Sequence, residues 1–103
     1  MTIVAVTACP TGIAHTYMAA EQLEKTGKKL GIPVRVETQG AMGIENELSP
    51  EEIRDAAAVV LAVGIPVQKR ERFEGKKVYE ISPGEAIKNP EAVLLKIKND
   101  LGS

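Results

Sequence analysis

Two stretches of the chain are apolar at successive positions rather than at alternate ones: Thr2 to Thr7, reading TIVAVT, and Ala57 to Val63, reading AAVVLAV. A strand with one wet face alternates apolar and polar residues. A run without alternation therefore belongs to a strand covered on both faces, as in a parallel sheet between layers of helix. Apolar residues make up 44% of the chain and aromatic ones only 3%, so those layers must pack through Ala, Val, Ile and Leu. The 103 residues leave room for one such core, since a second would need roughly 50 residues of its own. Residues 1–103 are accordingly expected to form a single α/β domain.

The rest of the chain supplies the other layers. Ile13, Tyr17, Ala20, Leu23 and Leu30 recur near helical spacing, and Gly31 followed by Pro33 supplies a stop. Val34 to Thr38 (VRVET) alternates as a strand does, and Gln39 to Gly43, with glycine at both Gly40 and Gly43, reads as a loop. Ser49, Pro50 and Glu52 form a helix start: a capping serine, a proline at the first helical position, and a glutamate placed to reach back to the cap. After a charged connection from Gln68 to Lys77, Val78 to Ile81 reads as a fourth strand. Ser82 and Pro83 repeat the helix start, and Pro90 opens a last helix with Val93, Leu94, Ile97 and Leu101 facing inward. With right-handed crossovers, this order predicts a three-layer sandwich: a four-stranded, mainly parallel sheet with helices on both faces. Binding sites in such sheets lie at the carboxyl ends of the strands.

Charge narrows the function classes. Thirteen basic residues stand against fourteen acidic ones, without the basic excess that draws a protein to nucleic acid. No segment approaches the roughly 20 apolar residues of a membrane span, so no direct membrane insertion is expected. The start MTIVAVTACP has no basic region before its apolar run, so it does not read as a secretory signal and the expected location is the cytoplasm.

The chemistry concentrates at Cys9, the single cysteine of the chain, where the first strand ends and the first helix begins. The opening amides of a helix lack intrahelical acceptors and carry partial positive charge, so they stabilise an anion. A thiolate at Cys9 is one such anion, and a phosphoryl group on its sulfur is another. The expected phosphate-binding loop comprises Pro10, Thr11, Gly12, Ile13, Ala14, His15 and Thr16, with the amides across Thr11 to His15 as donors to the phosphoryl oxygens. Gly12 allows close approach of the backbone to the oxygens. Thr11 and Thr16 read either as hydroxyl donors or as caps, and His15 either as a contact to thiolate or phosphate or as a surface residue. The simplest alternative for Cys9 is a buried, inert thiol. A cysteine phosphatase would carry arginine at the position of His15 to clamp the phosphate. A dithiol redox site would need a second cysteine where Gly12 stands, and zinc would find only Cys9 and His15 as ligands. No metal or cofactor is therefore expected.

The segments Val6-Thr7-Ala8-Cys9-Pro10-Thr11-Gly12-Ile13-Ala14-His15-Thr16-Tyr17-Met18-Ala19-Ala20, Val36-Glu37-Thr38-Gln39-Gly40, Gly43-Ile44-Glu45-Asn46 and Arg72-Phe73-Glu74-Gly75-Lys76 closely resemble the fructose-type enzyme IIB component of the bacterial phosphoenolpyruvate-dependent sugar phosphotransferase system. The resemblance spans nearly the whole chain. It implies a phosphocysteine at Cys9, charged from a phosphohistidine of the IIA component and discharged onto a sugar, fructose by resemblance, bound by the membrane component IIC. It also implies a parallel sheet of strand order 2-1-3-4, which would set Gln39 and Gly40 beside the first strand as a wall of the site. Arg70 and Arg72 are then expected on the opposite rim. IIA and IIC are expected to share one docking patch over Pro10, Thr11, Ile13 and the rim from Gln39 to Met42. Members of this family often carry an acidic residue after the third strand, where this chain reads Gly64-Ile65-Pro66. A regulatory module that keeps the IIB fold for binding alone is the alternative of a different class.

Overall fold

The structure is a computed structural model that describes residues 2–9, 13–40 and 43–102. The central strand β1 (Ile3–Ala8) is buried at every position. It pairs in parallel with β2 (Val34–Gly40) on one side and β4 (Ala58–Val63) on the other, and β5 (Val78–Ile81) extends the sheet beyond β4. These are the four parallel strands expected from the sequence, in the expected order. The loop expected over Gln39 to Gly43 is shorter than that, since Gln39 and Gly40 end β2 and Gly43 opens a fifth strand, β3 (Gly43–Glu45). This strand turns back antiparallel on the edge of β2, pairing Thr38 with Glu45 and Gly40 with Gly43, and completes the order β3-β2-β1-β4-β5. A three-residue strand opening on a glycine at φ 91° is too short to show periodicity. Its pairing partner, not its own pattern, makes it a strand.

Alternation along β1 divides the core. Ile3 and Ala5 point into a layer with Ala19, Ala20 and Leu23 of α1 (Ile13–Leu30), Ala86 of α3 (Pro83–Lys88), and Leu94 and Ile97 of α4 (Pro90–Gly102). Val4 and Val6 point the other way, onto Leu48, Ile53 of α2 (Pro50–Asp55) and Phe73 of a 3₁₀ turn over Arg70–Phe73. Small residues on α1 allow it to lie close to the sheet. At Gly27 an added Cβ would stand 2.6 Å from the Ile32 carbonyl oxygen and 2.5 Å from a methyl of Val34. Gly31, at φ 74°, then ends the helix in the left-handed conformation that glycine adopts without a Cβ clash.

Both short helices begin as their sequences predict. Ser49 Oγ accepts from the Glu52 amide at 3.1 Å while a Glu52 carboxyl oxygen accepts from the Ser49 amide at 2.9 Å. Ser82 and Glu85 repeat the arrangement. Tyr17 departs from the expected inward stripe: it is 40% exposed and its hydroxyl donates to a Glu45 carboxylate on β3. An amphipathic tyrosine at the end of a helix satisfies its hydroxyl better at the surface than among the alanines of this layer.

Candidate active site

The register of the sheet fixes the surroundings of the thiol. Thr7 lies opposite Thr38 of β2, and Ala8 lies opposite Val63 of β4. The Gly64 amide donates to the Ala8 carbonyl at 2.8 Å. Cys9, the next residue, therefore emerges at the carboxyl end of the sheet with the end of β2 on one side and the start of the β4–β5 connection on the other. It is partly buried, and its Sγ lies 3.7 Å from Nδ1 of the exposed His15 in the first turn of α1. That turn is anchored from below: the buried Thr7 hydroxyl donates to the Thr16 carbonyl at 3.0 Å. The hydroxyls of Thr16 and Thr38 are buried without a hydrogen-bond partner among the described residues.

On the opposite face, beneath the same end of the sheet, lies a buried carboxylate. Glu37 is 0% exposed. Its Oε1 accepts from Arg72 Nη1 at 2.8 Å and from the Leu48 amide at 3.0 Å, and its Oε2 accepts from Arg72 Nη2 at 2.9 Å and from Gln39 Nε2 at 2.7 Å. Burial pushes the Glu37 carboxyl up, but the Arg72 guanidinium, the Leu48 amide and the Gln39 amide together outweigh it and hold the group below its ordinary value of 4.5. Gln39 also grips the β4–β5 connection, donating to the Gln68 carbonyl at 3.1 Å and accepting from the Gln68 amide at 2.8 Å. Arg72 donates through Nε to the Lys69 carbonyl at 2.8 Å and lies 4.9 Å over the Phe73 ring. The connection that borders Cys9 on the β4 side is thus laced to β2 across the underside of β1.

The family model for the lactose/cellobiose-specific IIB subunit of the phosphotransferase system (PTS) matches residues 4–96. The "PTS system fructose-like EIIB component 2" of Escherichia coli is 48% identical over 99 residues, covering 96% of this chain and 93% of that protein. The chain belongs to the PTS IIB family. Among solved structures, an enzyme IIB subunit of the PTS from Escherichia coli K12 superposes with a TM-score of 0.92 at 40% identity, covering 98% of this chain and 94% of that one. The fructose-specific EIIABC component of Bacillus subtilis is 45% identical over 97 residues that span 94% of this chain and 15% of its own length. Membership gives this IIB chain a phosphotransferase role within a sugar phosphotransferase system.

Of the sequence-predicted site residues, Cys9 and His15 meet at the carboxyl end of β1, with Ala14 exposed beside them. Thr16 lies under the turn rather than at its surface. Pro10, Thr11 and Gly12, the side chain of Ile13, and Ala41 and Met42 of the proposed docking rim lie outside the described residues. Gln39 and Gly40 end β2, the strand that pairs with β1, but Gln39 is only 3% exposed and its amide is taken up by Glu37 and Gln68. Its side chain holds the β4–β5 connection instead of facing solvent. Arg70 pairs with Glu80 on the surface. Arg72 is not a solvated rim residue, since its side chain is 17% exposed and closes on Glu37.

The Glu37–Arg72 pair escaped the sequence reading because alternation in VRVET places Glu37 on the polar side of a strand, and a charged connection reads as surface. A usable signal was present: Phe73, the one phenylalanine of the chain, follows Arg72 directly. An aromatic in a charged connection folds that connection onto the core and takes its neighbours with it. Among the described residues no group of His, Cys, Asp or Glu is arranged to hold a metal ion, and no helix is long and apolar enough to cross a membrane.

Proposed function

We propose that the chain is a phosphoryl carrier in which Cys9 takes the phosphoryl group from a phosphohistidine of a IIA component and passes it to a hydroxyl of a sugar, of the fructose class, bound by a membrane IIC component. The observation that carries this reading is the position of Cys9. Its sulfur leaves the end of the central parallel strand, partly open to a partner, at the approach to the first turn of an 18-residue helix. Oriented amides there favour both a thiolate and a bound phosphoryl group. The backbone from Pro10 to Thr16 is assigned to the phosphoryl oxygens, with Gln39 and Gly40 bordering the site.

In the first half-reaction sulfur attacks phosphorus as the N–P bond of the donor breaks. In the second a sugar oxygen attacks and the S–P bond breaks. Neither half requires a metal or cofactor, because such transfer rests on positioning and charge stabilisation. Relatives named as EIIBC and EIIABC components support both partners, since fusion holds successive carriers together. They also support a cytoplasmic IIB unit working at the inner face of the membrane beside IIC. The exposed apolar side chains of Tyr17 and Met18 on α1 and of Ile65 after β4 suit brief docking of each partner over one patch.

Intact-mass spectrometry after incubation with phosphoenolpyruvate, the general carriers and a cognate IIA tests the reading. A single phosphoryl adduct that disappears in Cys9→Ser is expected. An adduct that survives the substitution, or rapid release of phosphate from a simple phosphate ester, points to a different chemistry.

A further inference from the structure

We propose that His15 is a catalytic residue, the proton relay of the thiol: as the phosphoryl group arrives Nδ1 carries the Cys9 proton to the departing donor nitrogen, and as the group leaves it carries the acceptor's proton back to the sulfur. The inference rests on the carrier reading above and goes beyond it in naming where the proton travels. Geometry supplies the first argument. Nδ1 lies 3.7 Å from Sγ, within reach of an S–H donor, and the ring rides on a turn fixed to β1 by the bond between Thr7 and Thr16. The buried carboxylate near this end of the sheet is on the opposite face and committed to Arg72, Leu48 and Gln39, and a guanidinium does not deprotonate. Imidazole, by contrast, has one ring nitrogen that accepts a proton and one that donates it.

The second argument is proton balance. On loading, the Cys9 S–H proton passes to His15 Nδ1 and sulfur attacks phosphorus. The S–P bond forms, the N–P bond breaks with its electron pair left on the donor imidazole, and that nitrogen takes the proton from His15. On discharge, the acceptor hydroxyl gives its proton to His15 as its oxygen bonds to phosphorus. The S–P bond breaks with its pair on sulfur, and His15 returns the proton to give the thiol. His15 ends each half as it began, with Nδ1 bare and hydrogen on Nε2. In this position a phosphatase would hold an arginine that grips phosphate. An imidazole handles protons instead, which suits handing the group on.

The test compares single-turnover loading by phosphorylated IIA in wild type, His15→Asn and His15→Ala. Asparagine keeps a polar group near Nδ1 but neither takes up nor releases a proton, so both variants are expected to load about 100-fold more slowly, the lower range for general acid–base catalysis. Added imidazole should restore part of the rate in His15→Ala. Wild-type speed in His15→Asn, or no rescue of His15→Ala, overturns the relay. A measurement without any phosphoryl group separates failure of the relay from failure of the carrier reading. Nitrogen–proton correlation NMR at mildly alkaline pH should find His15 Nδ1 unprotonated, with a resonance that moves on Cys9→Ala. A protonated Nδ1, or one indifferent to Cys9, overturns the proposal even if Cys9 is phosphorylated.

Discussion

Replacing Arg72 with methionine keeps an apolar stem over Phe73 and removes the guanidinium from a carboxylate that is 0% exposed. Among the described residues, Glu37 then retains the neutral donors, the Leu48 amide and Gln39 Nε2. Removing one partner of a buried ion pair costs about 3–5 kcal/mol, a large part of the roughly 5–15 kcal/mol that stabilises a domain of this size. The cost has a ceiling, because Glu37 escapes it by binding a proton, at about 1.4 kcal/mol per unit between its pKa and the ambient pH.

That ceiling gives the variant a pH signature. In wild type the Glu37 carboxyl is held below 4.5 in the folded state, so its contribution is present above that value and fades as pH falls through the folded pKa. Without Arg72, burial dominates and the folded pKa rises above the unfolded one, so the variant gains stability as pH falls from neutral toward 4.5. Urea unfolding followed by circular dichroism at neutral pH and near pH 4.5 reads both effects. A loss below about 1 kcal/mol at neutral pH, where such pairs typically cost several times more, would refute the reasoning. So would a variant whose pH slope matches that of wild type. The double substitution Glu37→Gln with Arg72→Met should recover part of the loss, because no charge remains buried.

Gly27→Ala should destabilise the fold by about 2 kcal/mol despite alanine's better helix propensity, since crowding against the Ile32 carbonyl exceeds that gain. An unchanged or raised thermal midpoint would show that α1 can move off β2 at no cost. Ser49→Ala removes the acceptor for the Glu52 amide and should cost about 1 kcal/mol in urea unfolding; equal stability would mean the cap contributes nothing. Hydrogen bonds from Arg35 first, and then from the Ser49 amide, pull Glu52 down from 4.5 to about 2. Its contribution is therefore present above 4.5 and lost toward 2, so Glu52→Gln should flatten the acid limb of the stability profile, and an unaltered limb would discount the Arg35–Glu52 pair.

The sequence by itself determined whatever depends on local pattern. The unbroken apolar runs in β1 and β4 required burial on both faces and therefore parallel pairing. The Ser-Pro-x-Glu starts at Ser49 and Ser82 specified their capping boxes, and the break after Ala8 set Cys9 between a strand and a helix. The tertiary structure decided what covers each face. Alternation in β2 can say that Glu37 points away from Val36, but not that the opposite face is roofed by the Arg70–Phe73 turn. The same holds for β3, a strand only because β2 lies beside it, and for the 3.7 Å approach of His15 to Cys9. The chain reports periodicity and end signals over a few residues, whereas a buried charge finds its partner 35 positions away. Such a partner is chosen by the cost of leaving that charge alone in the folded interior.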